Sequence, residues 1–218
     1  MRALLDLRPG TPLDPGEADG LVVDPDGLAA AIRLPAVREG RTTLHLRLRG
    51  PDGPGLEEAL AACLPATPSG ILLAGAAHGR DVAALGARLA VYEARAGLAD
   101  RGTRVIALID TPRGILDAAS FVEASPRLSG LGWDGAALAR ALDAGLGLDD
   151  AGAWIPPLAL ARGALRLAAA AAGVAAVEAA YPGDDADGCR CAVAAARRDG
   201  FAAMLARAAW QVPILRGP

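Results

Sequence analysis

The sequence predicts an α/β fold, a (β/α)₈ TIM barrel with a shortened or missing final helix, from three observations. Eight short β-rich apolar runs each end in Gly, Pro or a charged residue, and they alternate with stretches of helical periodicity. After the eighth run only about a dozen residues remain, Pro213 and Pro218 among them, too few for a full closing helix.

The runs are Ala3–Leu7, Gly20–Asp24, Thr43–Leu48, Gly70–Ala74, Arg104–Asp110, Ser129–Trp133, Val174–Ala180 and Phe201–Leu205. Helical patterns fall between them at Gly27–Val37, Leu56–Leu64, Arg80–Ala99, Pro112–Glu123, Gly135–Ala144, Leu158–Ala172 and Asp187–Arg198. A strand followed by a helix and another strand implies parallel pairing. Thr111 before Pro112 is a strong helix start, since threonine caps exposed amides and proline lacks only an amide that would be orphaned anyway. Two helical segments lie between the sixth and seventh runs, with Asp149, Asp150 and Gly152 marking the loop between them. An open doubly wound sheet is the alternative arrangement of eight such strands, but a lone G-x-G at Gly130–Gly132 does not make a nucleotide site.

The length of 218 residues predicts one barrel domain spanning 1–218. The chain is 53% hydrophobic, yet its longest apolar stretch, between Arg166 and Glu178, is shorter than the ~20 residues that cross a bilayer. The amino terminus carries Asp6 and lacks a long apolar segment with a small-residue cleavage site, so a cytoplasmic location and no membrane partner are expected. The three cysteines, Cys63, Cys189 and Cys191, are odd in number and include a pair too close for a relaxed disulfide, which fits a reducing compartment. Neither histidine lies near Cys189 and Cys191 in sequence, so helix packing explains that pair better than zinc. A net charge of −3 and seven aromatic residues argue against a nucleic-acid surface. All 22 basic residues are arginine, and the absence of lysine excludes Schiff-base catalysis through that side chain.

Barrel enzymes carry their chemistry at the carboxyl ends of the strands. Those ends hold Asp6 and Arg8, Asp24 and Asp26, Arg47 and Arg49, His78, Asp110, Asp134, Glu178 with Tyr181, and Arg207. His45, Arg47 and Arg49 share one parity along the third strand, so one face of it is basic. Pointing inward, Arg47 would hold a substrate carboxylate through a two-pronged pair, and the alternative is a solvated strand edge. Asp110 ends a wholly apolar strand, where a carboxylate has no packing purpose. It suits Mg²⁺, which takes hard oxygen ligands, or else caps the next helix. Asp24 and Asp26 would orient Arg47 or sit behind the metal, unless they form a simple turn. His78 would act as acid or base, or stand solvated in its loop.

The segment RVIALIDTPRGILDAAS, residues 104–120, resembles the fifth-strand signature A-L-I-E-T-P-x-G of the citrate lyase beta-chain and HpcH/HpaI aldolase family. RALL near the start, LVVDPD at the second strand and LRLRG at the third are similar to that family's patterns. So is PLALARGALRLAAAAAGVAAVEAAYPGDDADG, and the resemblance runs over nearly the whole chain. It implies a Mg²⁺-dependent carbon–carbon lyase or aldolase performing retro-aldol or retro-Claisen cleavage of an oxo-acid or hydroxyacyl coenzyme A thioester. It also implies assembly as a homo-oligomer, trimer or dimer, or with a homologue. By motif position Arg47 is the carboxylate clamp, joined in substrate binding by Arg49 and His78; Asp110 is the first metal carboxylate, Asp26 the second-strand acid and Glu178 the seventh-strand acid.

Several family residues are missing. At the fourth strand L-P-K-V-E-S is replaced by LAGAAH, leaving Gly75 and Ala77 for the lysine and glutamate. At the sixth strand Ala137 stands for the second metal carboxylate, a role Asp134 would take over, and at the eighth Met204 stands for a lysine. Such losses imply either weak Mg²⁺ binding by a divergent lyase or a catalytically inactive barrel that binds or assembles with an active homologue.

Overall fold

The computed structural model describes residues 1–7, 16–50 and 55–217, so Arg8 lies outside the described residues. Eight parallel strands close into a barrel in chain order: β1 Arg2–Asp6, β2 Gly20–Val23, β3 Thr43–Arg49, β4 Gly70–Ala74, β5 Arg104–Ile109, β6 Leu128–Trp133, β7 Ala175–Glu178 and β8 Ala203–Ala206. Closure is the pairing of β1 with β8, Leu4 opposite Leu205. The helices are α1 Pro25–Ala31, α2 Pro35–Arg38, α3 Leu56–Cys63, α4 Gly79–Arg95, α5 Pro112–Leu116, α6 Gly135–Ala141, α7 Pro156–Ala171, α8 Ala186–Arg198 and α9 Gln211–Arg216. Among the described residues, no helix is long and apolar enough to cross a membrane.

Helix ends differ from the sequence pattern where proline or a left-handed residue intervenes. The segment expected to be one helix over Gly27–Val37 divides into α1 and α2, because Pro35 forces Leu34 into an extended conformation, φ −64° and ψ 132°. α5 stops at Leu116 and continues as a 3₁₀ turn over Ala118–Phe121, after which Glu123 turns the chain at φ 59°. The closing helix is present and short, as α9.

Strand parity divides the core into two. Leu4, Val22, Leu72, Leu108, Val177 and Leu205 fill the barrel interior. The opposite parity, including Leu5, Leu21, Leu46, Leu73, Ile109 and Trp133, packs under the helices. Inward parity then carries upward past each apolar interior residue: Leu4 leads to Asp6, Val22 to Asp24, and Leu108 to Asp110. Arg47 pairs in register with the inward Leu72, and Gly132 with the inward Leu108, which brings Arg47 and Asp134 to the same side.

Away from the mouth, α4 is fastened to the β5–β6 pair by a buried two-pronged ion pair. Arg127 donates to Glu93 at 2.7 and 3.0 Å, the amide of Thr103 donates to the same carboxylate at 2.8 Å, and the two charged side chains are 4% and 1% exposed. Arg127→Ala leaves Glu93 buried without its countercharge. It is expected to cost about 3–5 kcal/mol and to lower the melting temperature by about 10 °C, read by circular dichroism.

Candidate active site at the barrel mouth

The polar residues at the carboxyl ends of β1, β2, β3, β5 and β6 form one group. Arg47 is 3% exposed and ion-paired with Asp6, itself 7% exposed at the side chain. Asp24, the residue before α1, approaches Arg47 Nε at 4.0 Å. Arg49, two residues further along β3, is 72% exposed and reaches Asp110 at 3.9 Å. Asp134 follows β6 and caps α6 through an Oδ1 that accepts from the Ala137 amide at 3.0 Å. Ile109 and Trp133 are register partners, so Asp110 and Asp134 are the next residues along two adjacent strands.

The charges act on one another. Burial pushes the Asp110 carboxyl above the usual carboxylate range and Asp134 adds to this, while Arg49 and the amides of Asp110 and Gly75 oppose it. Burial, helped by Arg49 and opposed by Asp134, brings Arg47 down to about 10, which leaves it cationic at neutral pH. Gly75 follows β4 at φ 75°, with Asp110 Oδ1 4.0 Å from where a Cβ would stand. Its side-chain-free backbone shapes this edge of the mouth. Arg207, at the end of β8, is committed to Asp184 and the Gly183 carbonyl.

Three expected site residues do not join this group. Glu178 has the parity opposite to the inward Val177 and points under the helices, where it accepts from Trp133 Nε1 at 2.7 Å and Arg162 Nε at 2.5 Å. A residue at this position with the other parity would have reached the mouth. Asp26 is exposed in the first turn of α1, and Asp24 takes the place beside Arg47 expected of it, because β2 ends at Val23 and the chain turns into a helix at Pro25. His78 caps α4: its Nδ1 accepts from the Arg80 amide at 3.2 Å, and Asp81 returns the contact to the His78 amide at 3.0 Å. Arg47 sits at the mouth as expected, but Asp6 already holds the guanidinium meant for a substrate carboxylate. That pairing was not foreseen. Its signal was the inward parity Asp6 shares with Leu4.

Arg162, which the sequence reading left out, bridges Glu178 and Asp199, donating to the latter at 2.6 Å. Burial works against its charge, but Glu178 and Asp199 outweigh it and raise the group. These residues line a cavity of about 350 Å³ outside the barrel, with Trp154, Tyr181, Cys191 and Met204. Its charges are compensated among themselves. Cys189 is buried and Cys191 exposed, and among the described residues no three or more His, Cys, Asp and Glu side chains form a metal-binding group.

No protein-family model matches the sequence, and no curated protein matches it. Solved structures do. RipC from Yersinia pestis is 24% identical with TM-score 0.71, over 99% of this chain and 93% of that one. The citrate lyase beta subunit complexed with oxaloacetate and magnesium from M. tuberculosis is 24% identical with TM-score 0.70, over 92% and 86%. A citrate lyase from Burkholderia xenovorans is 17% identical with TM-score 0.78, over 90% and 67%. The chain shares the closed (β/α)₈ barrel architecture of these proteins. At these identities the likeness establishes the architecture, and the mouth residues carry the argument for chemistry.

Deeper in the barrel, His45 shares the inward parity of Arg47 and is held at 3.2 Å by Thr43. Burial, with a contribution from Arg2, lowers it to about 4, so it folds as the neutral ring. The unfolded chain binds the proton more readily, so stability falls as pH drops below about 6.5 and levels off near pH 4, a loss of up to about 3 kcal/mol. Thermal melts across that range are expected to show a steeper acid slope for the wild type than for His45→Gln.

Proposed function

We propose that this chain is a divergent member of the citrate lyase beta-chain and HpcH/HpaI aldolase family, a Mg²⁺-dependent carbon–carbon lyase acting on an oxo-acid or a hydroxyacyl coenzyme A thioester. The observation that supports it is the placing of Asp110 and Asp134 on neighbouring strand ends, where the Asp134 carboxylate adds to the burial that opposes ionisation of Asp110. A divalent cation relieves that opposition. Two carboxylates without imidazole or thiolate fit Mg²⁺ rather than zinc, with water and substrate oxygens completing the shell. Bound there, Mg²⁺ would supply Lewis-acid polarisation of a carbonyl oxygen.

The chain's own residues divide the remaining work. Arg49 is exposed beside Asp110 and would take the substrate carboxylate, a role the burial of Arg47 withdraws from that side chain. Asp24, 30% exposed at the side chain, is placed beside Arg47 to accept a hydroxyl proton. The M. tuberculosis CitE solved with magnesium, acetoacetate and coenzyme A supports the same substrate classes for this mouth.

A second reading, a catalytically inactive barrel that assembles as a homo-oligomer or with an active homologue, is favoured by one observation. The outward face of α7 exposes Leu160 and Leu167 at 74% and 73%, and α5, which packs against α7, exposes Leu116 at 82%. Apolar surface of that kind suits a protein partner.

Calorimetric titration with Mg²⁺ and Mn²⁺, with and without pyruvate, separates the two readings. Binding weakened at least about tenfold by Asp110→Ala and by Asp134→Ala is expected for a lyase centred on this pair. Heat unchanged by either variant, or none up to millimolar metal, removes the lyase reading and leaves the assembly one.

A further inference from the structure

The ion pair inside the mouth supports one more step, which takes its functional meaning from the lyase reading but its geometry from β1 and β3 alone. Arg47 is 3% exposed and stands above a layer of leucine and valine, so no solute reaches its guanidinium while Asp6 holds it. Asp6 belongs to the strand that closes the barrel and is fixed by backbone pairing to Val22, so its carboxylate is delivered by the fold and not by a loop. Asp24 lies further off, at 4.0 Å from Nε.

A guanidinium binds carboxylates by the same two-pronged contact whether the carboxylate is tethered or free. We propose that Asp6 is an internal carboxylate ligand occupying an anion site centred on Arg47, and that this occupancy restricts substrate recognition at the mouth to the carboxylate taken by Arg49. With Asp6 in place, the anion site is closed to solutes. With its carboxyl group removed, Arg47 becomes a receptor for a small free monocarboxylate. The size match is set by chemistry: Asp6→Ala deletes the atoms of formate, and Asp6→Gly deletes those of acetate.

The test uses the full chain without metal and reads thermal unfolding in sodium formate or acetate against sodium chloride of equal ionic strength. In about 0.1 M formate the melting temperature of Asp6→Ala is expected to rise by about 4 °C, and that of Asp6→Gly to rise similarly in acetate. The wild type is expected to show neither rise. Asp6→Asn, which keeps the shape and fills the space, is expected to ignore both anions. The paired apolar replacement Asp6→Leu with Arg47→Met removes the site together with the buried charges, and should fold and remain unresponsive.

If Asp6→Ala is unfolded in chloride but folded in formate, the proposal is equally supported. A wild type that responds as strongly as the variants overturns it, because the site is then open. Folded alanine and glycine variants that ignore formate and acetate also overturn it, as do variants that stay unfolded in every salt, since Asp6 then serves packing. The metal titrations are run separately on the wild type. Their failure alongside a formate response removes the lyase reading and leaves this one, and the reverse pattern does the opposite.

Discussion

The side-chain alternation of a closed parallel sheet is the constraint on which this molecule rests. With a period of two, each strand must give one set of residues to the interior and the other to the helices, and closure of β1 onto β8 leaves no strand able to slip independently. The interior set is apolar through the middle of the barrel, where Leu4, Val22, Leu72, Leu108, Val177 and Leu205 meet. One step further along the same parity the chain changes to Asp6, Asp24, Asp110 and Asp134, and on β3 Arg47 joins them above the inward His45. The polar group is therefore held by the same hydrogen-bond ladders that hold the core. It rests on strand ends more than on loops, which keeps its members in fixed relation to one another.

Because these charges stand on an apolar floor, each depends on its neighbours more than it would in water. Arg47 is compensated by Asp6 and Asp24, and Arg49 approaches Asp110 from the solvent side. Asp134 and burial together oppose ionisation of Asp110, so that carboxylate stands in a setting a countercharge would relieve. The Glu93–Arg127 pair obeys the same rule away from the mouth, where it serves fastening alone. The Glu93–Arg127 pair thus supports stability at a distance from the mouth, and its loss need not disturb the candidate chemistry.

All eight strands were legible in the sequence, since apolar runs broken by Gly, Pro and charge are a local signal. The start of α5 was legible because Thr111 and Pro112 have specific terminal roles. The site was legible only in part. Asp110 and Asp134 follow directly from where their strands stop. Glu178 could not be placed without knowing the parity of a strand of only four residues, Ala175–Glu178, in which a shift of one position decides between the interior and the helices. Asp26 and Asp24 differ by two residues across the end of β2, and only the helix starting at Pro25 tells them apart. His78 reads as a loop residue until Asp81 and the Arg80 amide define the capping box. The Asp6–Arg47 pair joins strands separated by β2, a proximity that sequence spacing does not reveal.

Gly75 carries a consequence for redesign of the mouth. At φ 75° it occupies a conformation that resists any side chain with a Cβ, at a cost of about 1–2 kcal/mol. A lysine or carboxylate introduced at this position would have to carry that strain, so this edge of the mouth is closed to a new functional group from its own strand end. New chemistry here would have to be built on the residues around Gly75, with the turn itself left bare.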